Sequence, residues 1–164
     1  MIRARVITSS DGVANGARED RSGPAVRELL AGNGCHVDMI TVVPDDVDEI
    51  ATAIENAAGD GVRLIVTTGG TGIAPRDVTP EATMKVADRM IPGFGEAMRA
   101  ASKTPMAPLS RSMAATCGAA LIVNLPGSVN GAVECLSAVL RVIPHAVELL
   151  SGERVEVHPR NDEQ

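Results

Sequence analysis

Apolar residues along this chain fall into short uninterrupted runs, separated by longer stretches in which they recur every third or fourth position. Ala4–Ser9, β-branched and with little alternation, reads as a buried strand, Val37–Val43 as a second strand, and Leu64–Thr68 as a third, short, apolar and flanked by breakers. Between the first two, the polar, glycine-containing residues 10–23 read as a loop, Pro24 suits a first helical turn, and Val26, Leu29 and Leu30 form a buried stripe that ends at Gly32 and Gly34. Asp46, with Glu49 three residues later, predicts a capping box for a helix carrying Val47, Ile50, Ile54 and Ala57 on one face, stopped by Gly59 and Gly61. Thr79-Pro80-Glu81 combines a capping hydroxyl, a proline and an acid at another helix start.

Beyond it, Pro92 and Gly93 read as an interruption, Glu96–Ser102 as a short helix, and residues 103–112, with Pro105 and Pro108, as a loop. Met113–Cys117 and Ala120–Leu125 read as two strands joined at Gly118, close enough in sequence for one to run antiparallel. Val129, Val133, Leu136, Val139, Leu140, Ile143, Val147 and Leu150 mark a last helix, which Pro144 should kink. Alternating strands and helices predict an α/β fold, a three-layer α/β/α sandwich on a mostly parallel sheet. Residues 1–152 form its single domain, and the polar residues 153–164 a loosely ordered tail.

In such a sheet, ligands bind beyond the carboxyl ends of the strands. That selects Ser10-Asp11, Pro44-Asp45-Asp46, Thr67–Asp77, the loop around Ser110, and Asn124–Asn130. The most unusual of these is Thr67-Thr68-Gly69-Gly70-Thr71-Gly72, followed by Arg76-Asp77. Successive glycines let backbone N–H groups converge on an anion. No Gly-Lys-Ser/Thr follows, so this is no P-loop, and Pro75 stands where a dinucleotide fingerprint needs its third glycine. A plain glycine-rich turn is the alternative.

Asp45 and Asp77 are the best carboxylate pair for a divalent cation at a phosphate, since Mg²⁺ takes one or two carboxylates plus substrate oxygens. Their competing roles are helix capping, shared with Asp46, and an ion pair with Arg76. Ser128 can cap the last helix, contact a phosphate, or do both.

Composition narrows the ligand. The 164 residues carry a net charge of −6, no Trp, no Tyr and a single Phe, Phe94. Electrostatic attraction to nucleic acid or anionic membrane is thereby disfavoured, and recognition by aromatic stacking is nearly impossible. Thirteen of the cations are Arg, which can fork onto phosphate or stack on a flat ring. Cys35, Cys117 and Cys135 form no C-x-x-C pair and read as small buried residues of a reducing compartment, and His36, His145 and His158 lack metal-ligand spacing. No signal-peptide core or membrane-length apolar run is present, so a cytoplasmic address is expected.

The Gly-Gly-Thr-Gly run with Arg76-Asp77-Val78-Thr79-Pro80-Glu81-Ala82 closely resembles the signature of the MogA/MoaB family of molybdenum cofactor biosynthesis proteins, which includes the gephyrin N-terminal domain. Asp20-Arg21-Ser22-Gly23-Pro24, Val43-Pro44-Asp45, Pro92-Gly93-Phe94, Leu109-Ser110-Arg111 and Asn124-Leu125-Pro126-Gly127 resemble further family blocks, in order, so the likeness spans residues 4–150. It implies a molybdopterin-binding domain that transfers AMP from ATP to the terminal phosphate of molybdopterin, releasing pyrophosphate. It also implies a homotrimer that hands its product to a metal-insertion protein. On that resemblance Asp77 and Asp45 are the catalytic, Mg²⁺-positioning carboxylates. Thr68, Gly69, Gly70, Thr71 and Gly72 cradle ligand, and Ser110, Pro126, Gly127 and Ser128 help bind the pterin or its phosphate. Ser128 departs from the Asn or Gln of many relatives, and the family also holds paralogues of doubtful activity, so a non-catalytic molybdopterin carrier is the alternative.

Overall fold

Four of the apolar runs lie side by side and parallel, with every carboxyl end on the same edge. In the computed structural model, which describes residues 1–152, these are β1 (Ile2–Ser9), β2 (Cys35–Val43), β3 (Leu64–Thr68) and β6 (Ala120–Leu125). The tail expected at 153–164 lies outside the described residues. β5 (Ala114–Cys117) runs antiparallel to β6, and the two-residue β4 (Arg89–Met90) antiparallel to β5, which gives the order β2-β1-β3-β6-β5-β4. The expectation of a mostly parallel sheet with an antiparallel part therefore holds.

All five residues of β3 are buried, as a strand covered on both faces requires. Its side chains alternate between two cores. Leu64 and Val66 join Val6, Val26, Leu30, Leu121, Val123 and Leu136 on one face. Ile65 joins Ile7, Ile50, Ile54 and Ile122 on the other. The first core is roofed by α2 (Ser22–Ala31), α5 (Pro92–Ala101), α6 (Val129–Val139) and α7 (Ile143–Leu150), the second by α3 (Val47–Gly59) and α4 (Thr79–Val86). Each fully buried Leu or Ile contributes about 1.5–3 kcal/mol. The only aromatic residue, Phe94, is spent in the first core.

Three local readings need correction. Pro92 opens α5 instead of interrupting the chain, because a proline at the first helical positions lacks only an N–H that has no partner there. Pro144 ends the apolar stripe as one helix and begins another, so α6 and α7 are separate rather than one kinked rod. Residues 10–23, read as loop, contain the single turn α1 (Asp11–Ala14), capped by the Ser10 hydroxyl.

Candidate active site

The parallel strands deliver five loops to one edge of the sheet. β1 ends at Ser9, β2 leads to Asp45, β3 to the glycine run, β6 to Gly127 and Ser128, and the loop before β5 brings Ser110. They enclose a cleft with two lobes. The larger, about 560 Å³, is lined by Ser9, Ser10, Arg18, Asp20, Arg21 and Asp45 with Thr68 and Gly69. The smaller, about 400 Å³ and more apolar, has Met106, Ala107, Leu109, Pro126 and Cys135 in its wall, with Thr71, Gly72, Arg99 and Ser110. Gly70, Asp77, Gly127 and Ser128 border both lobes and form their junction.

Glycine is required at that junction. Gly69 and Gly70 have φ of +95° and +62°, where a side chain is strained. A Cβ on Gly69 would collide with the Ser9 carbonyl, and one on Gly127 would sit 3.2 Å from the Gly69 Cα. The loops after β3 and β6 thus meet glycine against glycine. The Thr79 hydroxyl, expected to cap α4, instead donates to the Gly69 carbonyl at 2.9 Å, and the Thr79 N–H donates to the Gly70 carbonyl at 3.1 Å. α4 has no side-chain cap; its first residues hold the glycine loop shut.

The candidate carboxylates are fixed by different means. Asp46, not Asp45, caps α3, accepting from the N–H groups of Asp48 and Glu49. Asp45 is left facing the cleft, its Oδ1 accepting from the Ser9 hydroxyl at 2.7 Å and its Oδ2 from the Asp11 N–H at 2.9 Å. Asp77 Oδ2 accepts from the Ala74 N–H at 2.8 Å, folding the loop back upon its own carboxylate. Arg76 is not its ion-pair partner. Nε and one terminal nitrogen of Arg76 donate to Asp11, at 2.9 and 2.8 Å, and hold the Asp11 carboxyl below the usual carboxylate range.

Two groups, Asp20 in the cleft wall and Arg111 behind the glycine loop, escape sequence reasoning as functional residues. Asp20 accepts from Thr8 Oγ1, Ser22 Oγ and the Gly23 N–H, and the Ser22 hydroxyl lies 2.9 Å from that of Thr68, which lines the larger lobe. Arg111 grips the glycine loop from the loop before β5. Both belong to the family blocks, but the side-chain contacts of Arg111, 30 to 39 residues away, leave no local periodicity, and those of Asp20 read as an ordinary loop cap.

Ser128 accepts from the Gly131 N–H at 3.2 Å and so caps α6 while bordering both lobes. Cys135, in the wall of the smaller lobe, and Cys35 have thiols that burial pushes up. Among the described residues no three His, Cys, Asp or Glu side chains gather as a metal site; Glu19, Asp20, Asp45 and Asp77 line the larger lobe.

Such a cleft, at the carboxyl edge of a doubly covered parallel sheet and lined by glycine loops and three aspartates, stands where open α/β folds take their ligands. The chain matches the family model described as "Probable molybdopterin binding domain" over residues 5–145, and it belongs to that family of molybdenum cofactor biosynthesis proteins. It is 41% identical over 166 residues to the molybdopterin adenylyltransferase of Helicobacter pylori strain J99, across 98% of this chain and 94% of that one. It is also 40% identical over 160 residues to gephyrin of Dictyostelium discoideum, across 90% of this chain and 22% of that much longer protein. Among solved structures, the molybdopterin biosynthesis enzyme MoaB of Thermus thermophilus superposes with a TM-score of 0.88 at 47% identity, over 93% of this chain and 98% of its own.

Proposed function

We propose that this chain is a molybdopterin adenylyltransferase, joining AMP from ATP to the terminal phosphate of molybdopterin and releasing pyrophosphate. The observation that carries the reading is the two-lobed cleft whose junction is built from Gly70, Asp77, Gly127 and Ser128. Two ligands, each carrying a ring and a phosphate, can enter separate lobes and bring their phosphates together at that junction. A terminal phosphate oxygen of molybdopterin attacks the α-phosphorus of ATP. The new P–O bond forms as the bond to the bridging oxygen breaks, and pyrophosphate leaves with that electron pair. The attacking phosphate monoester is already largely ionised at neutral pH, with a second pKa of about 6, so no strong general base is needed. Positioning and charge neutralisation carry the rate.

Asp45 and Asp77 are the residues that would hold Mg²⁺. Two carboxylates beside a phosphate pocket suit a hard cation that arrives with its phosphate oxygens better than zinc, whose sites are built mainly on nitrogen and sulfur donors. When bound, the ion supplies neutralisation of the charge that builds on the transferring phosphate. Thr68, Gly69, Gly70, Thr71 and Gly72 line the phosphate path, with Ser110 and Pro126 on the pterin side and Gly127 and Ser128 between. Neither lobe has an aromatic wall; Arg18, Arg21 and Arg99 are the flat cationic faces present for the rings.

A homotrimer and hand-over of product to a metal-insertion protein complete the proposal. The edge strand β2, with Met39 and Val42 exposed, supports an interface between copies. Sedimentation at several concentrations tests it, and a monomer at all of them refutes it. No helix among the described residues is long and apolar enough to cross a membrane, which fits the cytoplasmic placement proposed here.

The activity is tested by incubating the protein with molybdopterin, ATP and Mg²⁺ and measuring adenylylated product by chromatography. Product at the expected mass supports the proposal. Binding of molybdopterin with no product would make the protein a carrier.

A further inference from the structure

The residue that places Asp77 comes from outside its own loop. Arg111 makes a fork onto the glycine-loop backbone: its Nε donates to the Gly72 carbonyl at 2.7 Å and one terminal nitrogen to the Asp77 carbonyl at 2.6 Å. The other terminal nitrogen contacts the Glu81 carboxylate on α4, and the Arg111 N–H donates to the Thr71 carbonyl at 2.7 Å. One planar side chain therefore pins both ends of the bend from Gly72 to Asp77. The bend has little freedom left, because a Cβ on Gly72 would lie 2.6 Å from Asp77 Oδ2, which already accepts from Ala74.

Arg111 is itself held from the opposite face of the fold. Arg99, on α5, donates to the carbonyls of Ser110 and Ser112 at 3.3 and 2.8 Å, fixing the residues on either side of Arg111. α5 lies so close that a Cβ on Gly95 would come within 2.6 Å of the Ser112 carbonyl. A continuous chain of contacts thus runs from α5 through Arg99, the Ser110–Ser112 backbone and Arg111 to the backbone of Asp77.

Resting on the adenylyltransferase reading above, we infer that Arg111 is a positioning residue for the reaction, holding the Asp77 carboxylate at the junction of the two lobes through the carbonyls of Gly72 and Asp77. The fork geometry is what matters. Lysine keeps the charge and can reach only one of the three acceptors at a time, whereas the guanidinium holds all three in one plane.

The test compares wild type with Arg111→Lys, measuring steady-state adenylylation and amide hydrogen exchange over residues 72–78 in the same preparations. The expected result is a fall in kcat of about tenfold or more, as for loss of an outer support of an active-site ligand, with KM for molybdopterin within about twofold and faster exchange confined to that bend. Arg111→Ala should regain part of its kcat when ethylguanidinium is added. An unchanged kcat alongside a loosened bend would overturn the inference, and so would a lost kcat with unchanged exchange, which would put Arg111 on the substrate itself. If Arg111→Lys fails to fold, Glu81→Gln, which weakens the third arm only, should give the same two changes in smaller measure, and no change in either overturns the inference. Wild type without activity refutes the adenylyltransferase reading alone, and the exchange measurement then decides the role of Arg111 in holding the bend.

Discussion

Asp11 and Asp45 hold each other through their backbones: the Asp45 N–H donates to Asp11 Oδ1 at 3.0 Å, and the Asp11 N–H to Asp45 Oδ2 at 2.9 Å. The loops after β1 and β2 are clasped by this exchange, and Arg76 adds the loop after β3 by gripping the same Asp11 carboxylate. Asp45 therefore owes its orientation in part to a residue that does not line the cleft, beside the Ser9 hydroxyl that does.

Asp11→Ala removes the acceptor for both Asp45 and Arg76. Adenylylation should fall by about 10–100-fold, the usual cost of removing the support of a ligating group. Asp11→Asn keeps one carbonyl oxygen for the Asp45 N–H and should retain most of the rate. Equal losses in the two variants, measured in one assay, would show that the charge and not the clasp matters.

Asp77→Asn tests the junction directly. Removing a negative charge from the carboxylate that borders both lobes should lower kcat by about 100-fold or more, while molybdopterin affinity stays within about threefold. Titration calorimetry beside the activity assay separates the two. An equal loss of affinity would make Asp77 a binding residue.

Gly69→Ala addresses the backbone. The left-handed φ costs a side chain about 1–2 kcal/mol before the collision with Ser9 is counted. A total destabilisation of about 2–4 kcal/mol is expected, read as a lower midpoint in chemical denaturation. Gly59→Ala, with open space around its Cβ and an α-helical backbone, should leave the midpoint unchanged or raise it.

Far from the cleft, Asp38 accepts from Arg3 and from the largely buried Arg5, and the Arg5 guanidinium holds its carboxyl below the usual range. A depressed carboxylate pKa stabilises the fold above the unfolded value of about 3.9 and loses that stabilisation as pH falls through the folded value. Asp38→Asn should cost about 2 kcal/mol at neutral pH, because Asp60 still pairs with Arg5. The gap from wild type should close below about pH 4 in urea melts.

The strands and the glycine loop are legible in the sequence because their signals are local: buried runs, breakers, and a spacing of caps. Ser128 reads correctly as a cap for the same reason. Thr79 misleads because a hydroxyl before a proline looks like a cap whichever way it turns, and only the return of the β3 loop puts the Gly69 carbonyl within its reach. Arg76 pairs on paper with its neighbour Asp77, yet its partner is Asp11, brought close by the pairing of β1 with β3. The Arg111 side chain likewise acts across 30 to 39 residues. β4, two exposed residues long, offers no run of apolar residues to detect.

The glycine-to-glycine contact at the junction has a kinetic side. With glycine against glycine where the loops after β3 and β6 meet, only the Asp77 carboxylate and the Ser128 hydroxyl stand beside a molecule that occupies both lobes at once. Joining two ligands there turns two separate binding events into one, so the linked product should be retained more tightly than either substrate. A burst of one product per site followed by a slower steady rate is expected in rapid-quench measurements. Whatever draws the product out of the cleft would then set the pace of turnover.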